Sequence, residues 1–230
     1  MKTIALIPAA GMGRRMKAGF NKQYLQLNGR PILARTLALF DEHPRIDRII
    51  VISPADEIDF CRTEIIERFG FTKVQALVSG GLERQDSVRN GLDACGAEAE
   101  DTVLIHDGVR PLLPPLLIDE VIDTSRRSGA CVVGVPVKDT VKCVENGKIV
   151  ATPDRRTLWL AQTPQAFRFS LLDAAYRKAA EENVVATDDA SLVEHLGHPV
   201  SIIEGSDRNI KITTSEDLVL ARAFSDERTI

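Results

Sequence analysis

Short apolar runs alternate with stretches of helical spacing along most of the chain. Three runs have the length and composition of buried strands: residues 4–7, 49–52 and 103–105. Apolar residues at helical spacing lie between them, as at residues 32–40, which follow Pro31. Strands that alternate with helices in this way predict a parallel sheet with crossover helices.

The same alternation continues to the end of the chain. Further strands are predicted at residues 74–78, 130–135, 200–203 and 210–212. Further helices are predicted at residues 58–69, 88–95, 118–125, 170–180, 189–196 and from Ser215, as the cap, to Phe224. We therefore expect an α/β protein of one domain, residues 1–230, with a mostly parallel, twisted sheet, helices on both faces and ligands at the carboxyl ends of the strands.

Residues 140–151 depart from this alternation of strands and helices. Residues 140–144 and 148–151 flank Asn146 and Gly147, a pair typical of the type I′ turn of a β-hairpin. The pattern predicts a projecting hairpin arm at about residues 137–156. Its apolar residues Val141, Val144 and Ile149 would be exposed to water unless another surface packs against them.

Composition and charge exclude several classes of function. A net charge of −4 argues against a general nucleic-acid surface, so an anionic substrate must meet local cations. The four cysteines form no C-x-x-C pair, which indicates neither a zinc site nor a disulfide framework. The first apolar run is too short for a signal sequence or a membrane span. We expect a cytoplasmic protein with no nucleic-acid or membrane partner.

A glycine-containing loop follows the first strand. Its small residues Pro8, Ala9, Ala10, Gly11 and Gly13 would let backbone N–H groups approach a phosphate closely. A dinucleotide-binding loop would carry a third glycine at Met16, and no Lys-Ser or Lys-Thr pair completes a Walker motif. Basic residues follow instead: Arg14, Arg15 and Lys22. They indicate a triphosphate site, although solvated cations beside a structural turn are the alternative.

Segments along almost the whole chain resemble the 2-C-methyl-D-erythritol 4-phosphate cytidylyltransferase family of the non-mevalonate isoprenoid pathway. The matching segments, in chain order, are 8–16, 22–24, Gly80-Gly81 with Arg84 and 86–88, 106–111, 139–142, 162–165, 186–190 and 209–213. The resemblance implies a Rossmann-like, three-layer nucleotidyltransferase fold. It also implies transfer of CMP from CTP to methylerythritol phosphate, a small polyol phosphate, with release of pyrophosphate and with Mg²⁺ as cofactor.

The resemblance also implies roles for individual residues. Arg15 and Lys22 match the family's catalytic cations, and Asp107 is a candidate ligand of Mg²⁺. The residues expected to hold the nucleotide are Pro8, Ala9, Ala10, Gly11, Gly13, Gly80, Gly81 and Ser87. The residues expected to hold the acceptor are Arg110, Thr140, Arg155, Thr163, Thr187 and Lys211, the last on a strand edge.

Structural alternatives stay open for several of these residues. Asp107 could cap its loop, Ser87 could be an N-cap or first-turn residue, and Thr187 could simply begin a helix. We expect His106 to have a structural role, and we expect no metal at His195 and His198.

In the family that this chain resembles, the hairpin arm crosses to a second subunit. The resemblance therefore implies a homodimer with exchanged arms, in which Thr140 and Arg155 act in the partner's site. The chain departs from the family at Asn21, where members often carry proline, and this departure predicts a looser loop before Lys22.

Three rival functions differ from this prediction. A ribitol-5-phosphate cytidylyltransferase would share the scaffold and differ mainly in its acceptor contacts. A nicotinamide oxidoreductase is disfavoured by the missing third glycine and the missing acidic residue after it. A non-catalytic nucleotide sensor would not need Arg15, Lys22 and Asp107 together.

Overall fold

The structure is a computed structural model that describes residues 1–11 and 21–226. Its strands in the described residues are β1 (Thr3–Pro8), β2 (Gln26–Leu27), β3 (Arg30–Pro31), β4 (Arg48–Ser53), β5 (Val74–Ser79), β6 (Thr102–Ile105), β7 (Ala130–Pro136), β8 (Cys143–Glu145), β9 (Lys148–Ala151), β10 (Trp159–Arg168) and β11 (Ser201–Glu204). Seven of them form one sheet in the order β11-β7-β10-β6-β1-β4-β5. Every neighbouring pair is parallel except the two that involve β10, so the sheet is mostly parallel, as predicted.

Helices cover both faces of this sheet. They are α1 (Ile32–Asp41), α2 (Ile58–Phe60, which continues as a π-helix over Cys61–Glu67), α3 (Arg84–Ala94), α4 (Pro115–Ser128), α5 (Phe169–Glu181), α6 (Asp189–His195) and α7 (Ser215–Asp226). The apolar sides of α1, α2 and α4 form one buried cluster with the sheet, and those of α3, α5 and α6 form a second on its opposite face. The three-layer architecture expected from the sequence is therefore present.

The strand β10 is not among the strands predicted from the pattern. Its segment carries Pro164, which cannot donate to a ladder, and the register against β7 shifts between Ala161 and Gln165. The buried side chains of Gln162 and Thr163 lie within this shift. An irregular strand with polar buried residues lacks the apolar run by which the other strands were predicted.

Two details near the end of the chain correct the sequence-based interpretation. Residues 210–212 form no strand: Ile212 donates its N–H to Val109 O at 2.9 Å and is buried in a small cluster with Leu27, so side-chain packing rather than a ladder holds this loop. The cap of α7 is Thr214, not Ser215. Thr214 Oγ1 accepts from the N–H of Asp217 at 3.2 Å, and Asp217 Oδ2 accepts from the N–H of Thr214 at 2.9 Å.

The predicted hairpin is present as β8 and β9. Asn146 and Gly147 have φ values of 48° and 77°, the positive values that a type I′ turn requires. The hairpin forms its own two-stranded sheet, apart from the seven-stranded one. Val144 is 57% exposed and Ile149 is 62% exposed, so the apolar residues of the arm have little cover within this chain.

Candidate active site

A cavity of about 610 Å³ opens at the carboxyl ends of β1, β4, β5 and β6. Its lining consists of Pro8, Ala9, Ala10, Gly11, Lys22, Gln23, Pro54, Ala55, Asp56, Gly80, Gly81, Leu82, Glu83, Arg84, Ser87, Asp107, Val109 and Lys211. Loops that are far apart in sequence meet here because parallel strands present their carboxyl ends at one edge of the sheet. The structure therefore brings ten of the predicted site residues to one place.

Two of the predicted residues, Gly13 and Arg15, lie outside the described residues. Gly11, the last residue described before them, belongs to the lining. Their predicted contacts with phosphate stay predictions.

The loop after β5 is held close to the loop after β1. Gly80 donates its N–H to Ser53 O at 2.8 Å, and a Cβ atom on Gly80 would lie 2.3 Å from the Cβ of Ala10. No side chain fits at that distance, so glycine at position 80 lets the two backbones approach each other. The resulting wall is made largely of backbone groups, which suits recognition of a base edge or a phosphate.

Ser87 fixes the shape of the same loop from α3. Its Oγ accepts from the N–H of Gly81 and donates to the carbonyl of Glu83, both at 3.0 Å. The N-cap of α3 is Glu83, in a capping box with Asp86, so Ser87 is a first-turn residue and not the cap. Its position in the lining is compatible with both a structural role and a nucleotide contact.

Asp107 is the centre of a cluster of cations. Its Oδ2 is 3.0 Å from Lys211 Nζ and 3.3 Å from Arg110 Nε, and its Oδ1 is 3.8 Å from Arg84 Nε. Burial raises the pKa of Asp107, but the charges of Lys211, Arg84 and Arg110 outweigh it and hold the pKa well below its ordinary value. Asp107 is therefore ionised at neutral pH and faces three positive charges.

Two buried side chains support the position of Asp107. Thr163 Oγ1 accepts from the backbone N–H of Asp107 at 3.1 Å and lies 3.1 Å from His106 Nδ1. His106 Nε2 lies 3.0 Å from Arg110 O, so the proton of the neutral ring is on Nε2. Burial lowers the pKa of His106 to about 4. His106 thus has the structural position expected of it, and Thr163 lies beneath Asp107 rather than in the lining.

The predicted acceptor-binding residues separate into two groups. Lys211 lines the cavity, on a loop rather than on the strand edge expected from the sequence. Arg110 is buried behind Asp107 and donates from Nη1 to Asn209 O at 2.7 Å. Both contact the carboxylate of Asp107: Lys211 does so from the cavity, and Arg110 does so from the protein interior.

The other group is exposed and lies outside the lining: Thr140, Arg155 and Thr187. Arg155 donates from Nη1 to Lys138 O at 2.7 Å, at the base of the arm. Thr187 precedes Asp188, which caps α6 by accepting from the N–H of Ser191 at 3.1 Å, so the segment does begin a helix. Within this chain the structure does not bring these three residues to the cavity.

Arg84 is a site residue that the sequence analysis did not single out. It lines the cavity, and its Nη2 donates to Asp189 Oδ2 at 2.7 Å. Asp189 is fully buried and also accepts from Tyr176 OH at 2.6 Å. Burial lowers the pKa of Arg84, but the charges of Asp189 and Asp107 outweigh it and raise the pKa above its ordinary value. The only signal in the sequence was the place of Arg84 within the glycine segment of the family resemblance.

The two histidines near the end of α6 contact other groups. His195 Nε2 pairs with the carboxylate of Glu182, and His198 Nδ1 lies 2.9 Å from Pro199 O. Within residues 1–11 and 21–226, no three His, Cys, Asp or Glu side chains converge as a metal site would require. In the same part of the chain, no helix has both the length and the apolar character needed to cross a bilayer.

Sequence comparison identifies the relatives of this chain. Residues 3–227 match the family described as 2-C-methyl-D-erythritol 4-phosphate cytidylyltransferase. The chain belongs to this family. Its relative of that name in Syntrophotalea carbinolica is 61% identical over 226 residues, which are 98% of this chain and 97% of the relative. A second relative of that name, from Geobacter metallireducens, is 56% identical over 230 residues, 99% of each chain.

Solved structures of cytidylyltransferases share the fold. The 4-diphosphocytidyl-2C-methyl-D-erythritol synthase of Anaerococcus prevotii has a TM-score of 0.85 and 34% identity, over 98% of this chain and 96% of the other. The Francisella tularensis cytidylyltransferase has a TM-score of 0.84 and 33% identity, over 97% and 99% of the two chains. The predicted family, fold class and enzyme class, a nucleotidyltransferase, are confirmed.

Proposed function

We propose that this chain transfers CMP from CTP to 2-C-methyl-D-erythritol 4-phosphate, giving 4-diphosphocytidyl-2-C-methyl-D-erythritol and pyrophosphate for isoprenoid precursor synthesis. The observation that carries the proposal is the cavity in which Lys22, Arg84 and Lys211 come together beside the close approach of Gly80 to Ala10. The names of the relatives from Syntrophotalea carbinolica and Geobacter metallireducens point to the same reaction.

The reaction needs positioning and charge stabilisation rather than a covalent nucleophile. An oxygen of the acceptor phosphate attacks the α-phosphorus of CTP, a new P–O bond forms there, and the bond to the β-phosphate breaks with pyrophosphate as the leaving group. Negative charge develops on the leaving oxygen and around the α-phosphorus. Lys22, which lines the cavity, is suited to stabilise this charge, and Arg15 is the second cation to which the family resemblance assigns the same task.

The side chains around Asp107 fit a magnesium ion held mainly by substrate. Magnesium is commonly bound by one or two carboxylates together with phosphate oxygens and water. Asp107 offers one ionised carboxylate at the cavity, and its Oδ1 is 3.8 Å from Arg84 Nε, which is longer than a hydrogen bond. When bound, Mg²⁺ would neutralise charge on the phosphates as a Lewis acid. Asp107 would hold it, while Lys211 and Arg110 keep the carboxylate in place.

The assignment of the acceptor is tested by pyrophosphate release. Purified protein, CTP and Mg²⁺ are combined with either 2-C-methyl-D-erythritol 4-phosphate or ribitol 5-phosphate. We expect release with the first acceptor and little with the second. Release with ribitol 5-phosphate alone would keep the chemistry and replace the acceptor. Release with neither would contradict the proposed transfer and favour the nucleotide sensor considered above.

The arm suits a homodimer in which each subunit completes the other's site. Its apolar residues Val144, Ile149 and Val150 are each more than half exposed, and burial in a subunit interface would remove this apolar area from water. Thr140 and Arg155 lie on the same projecting segment, outside the lining of their own cavity. If the arms are exchanged, these two residues contribute to acceptor binding in the cavity of the partner subunit.

We also propose that the enzyme acts in the cytoplasm. Its four cysteines are free thiols, and three of them, Cys61, Cys95 and Cys131, are buried. A chain that keeps all its cysteines reduced suits a reducing compartment.

A further inference from the structure

The segment that carries Lys22 rests on the turn that follows β4. Residues Lys22–Tyr24 form a single 3₁₀ turn, in which Tyr24 donates its N–H to Asn21 O at 3.0 Å. The second turn, Ala55–Glu57, is a 3₁₀ turn at the carboxyl end of β4. Both turns contribute to the wall of the cavity, through Lys22 and Gln23 on one side and Ala55 and Asp56 on the other.

One carboxylate joins the two turns. Glu57 accepts hydrogen bonds from the side-chain amides on both sides of the lysine: Asn21 Nδ2 donates to Oε1, and Gln23 Nε2 donates to Oε2 at 3.3 Å. Gln23 is 1% exposed, and Glu57 is half-buried. Lys22 therefore lies between two residues whose side chains both donate hydrogen bonds to Glu57.

Further contacts tie the same segment to α2 and β4. Tyr24 stacks edge-on against Phe60 with ring centroids 4.8 Å apart, and its OH lies 3.4 Å from Ser53 Oγ. These contacts hold Tyr24, two residues after the lysine, against α2 and β4. The residues on either side of Lys22, Asn21 and Gln23, instead share Glu57 as a side-chain partner.

We propose that Glu57 is a positioning residue for Lys22. Its carboxylate holds Asn21 and Gln23, and through them it sets where the lysine side chain enters the cavity. The inference rests on the proposed function, because it gives Lys22 the task of meeting charge on the transferred phosphate. Displacement of a catalytic group by about 1 Å can lower a rate by about 100-fold, so a residue that only positions Lys22 can still govern turnover.

The first experiment compares three variants in the pyrophosphate assay. Glu57→Ala removes both acceptors, and we expect kcat to fall about tenfold or more while KM for CTP changes much less, since Lys22 acts mainly in the transition state. Glu57→Gln keeps one acceptor oxygen and should have an intermediate kcat. Glu64→Ala is the matched control, because Glu64 lies nearby in the π-helix that follows α2 and pairs at 2.9 Å with Arg68 instead. Equal kcat values for Glu57→Ala and Glu64→Ala would overturn the proposal.

A second variant tests positioning rather than folding. Asn21 has a φ of −64°, which is the value that a proline ring imposes. In the Glu57→Ala background the Asn21 side chain has lost its partner, so Asn21→Pro can stiffen the backbone without breaking that contact. We expect the double variant to recover part of the lost kcat. A kcat no higher than that of Glu57→Ala would mean that Glu57 acts in another way, and would overturn the proposal.

A third measurement does not depend on turnover. Hydrogen–deuterium exchange without substrate follows the amides of Tyr24 and Leu25, which donate to Asn21 O and Lys22 O. We expect faster exchange there in Glu57→Ala than in wild type or Glu64→Ala. Unchanged exchange would overturn the proposal whether or not the protein is active. If wild-type protein releases no pyrophosphate with either acceptor, the proposed function fails, and exchange alone decides the role of Glu57.

Discussion

Asp189 accepts a hydrogen bond from Arg84 at 2.7 Å, which joins a fully buried carboxylate to a guanidinium in the cavity wall. Loss of one partner of a buried ion pair leaves an uncompensated charge and costs about 3–5 kcal/mol. The free energy of unfolding is therefore tied to the same contact that orients Arg84 toward Asp107.

Asp189→Asn should lower the free energy of unfolding by about 3 kcal/mol, because Arg84 then loses its charged partner at 2.7 Å and retains the longer, 3.8 Å contact with Asp107. Urea denaturation measures the change. Asp173→Asn serves as the control, since Asp173 pairs with Arg89 and Arg177 outside the cavity wall. A loss no larger than that of the control would show that the Arg84–Asp189 pair contributes little to stability.

Gly80→Ala should damage both folding and nucleotide binding, because the new methyl group would lie 2.3 Å from Ala10 Cβ. Overpacking of this kind costs about 1–3 kcal/mol. Urea denaturation and calorimetric titration with CTP report the two effects. The double variant Gly80→Ala with Ala10→Gly removes the opposing methyl group and should recover part of both losses. No recovery would mean that Ala10 is not the atom that excludes a side chain at position 80.

Asp107→Asn should raise the Mg²⁺ concentration needed for half-maximal activity by roughly tenfold, a loss typical of changes in and around metal ligands. The matched control is Asp56→Asn, which removes the same charge from the lining of the same cavity. Activity is followed by pyrophosphate release over a magnesium titration. A shift in the control but not in Asp107→Asn would assign the metal to the other side of the cavity.

Stability should decrease as the pH falls from 7 to 5, in part because of His106. Burial lowers its pKa in the folded protein to about 4, below the ordinary 6.5, so the unfolded chain takes up a proton first. Protons bound only by the unfolded state favour unfolding. Protonation of His106 in the unfolded chain should therefore lower the free energy of unfolding by about 2 kcal/mol between pH 7 and pH 5. Urea denaturation in metal-free buffer at pH 7 and pH 5 measures it. In His106→Gln the decrease should be smaller by that amount; an equal decrease would contradict the prediction.

Mixed subunits test whether the arms are exchanged. Lys22→Ala should lower turnover by about 10²–10³, and Arg155→Ala should also be impaired. If the arms cross, co-expression of the two chains yields heterodimers with one intact site, and activity rises above that of either variant. Lys22→Ala with Lys211→Ala is the control, because both lysines line the cavity of their own chain. Equal behaviour of the two mixtures would show that Arg155 serves its own subunit.

The central sheet was predictable where its strands are buried on both faces. The strands β1, β4 and β6 consist of apolar runs, and the sequence alone locates them to within about a residue. The strand β10 was not predictable in this way, because Gln162, Thr163 and Gln165 are buried polar residues within it. Their partners come from other segments: Gln165 Oε1 accepts from the N–H of Asp189, for example. A local pattern does not contain such contacts.

The candidate active site was likewise predictable only in part from the sequence. Small or charged residues after predicted strands, such as Gly80 and Asp107, marked two of the loops that meet at the cavity, and the family resemblance marked Lys211. The ion pair between Arg84 and Asp189 joins residues 105 positions apart in sequence. The contact that orients Arg84 is therefore visible in the fold and not in the local sequence. The bonds from Asn21 and Gln23 to Glu57 likewise connect segments that are separate in sequence.

The reversed direction of β10 has a consequence for how the arm can change during evolution. Antiparallel neighbours such as β7 and β10 can be joined by a simple reversal of the chain, whereas parallel neighbours need a crossover of fixed handedness. The arm is therefore an enlarged loop between two adjacent strands. Insertions, deletions or new surface residues at the tip of the arm leave the register of the sheet and the lining of this chain's own cavity unchanged, so the length and surface of the arm can vary independently of the central sheet.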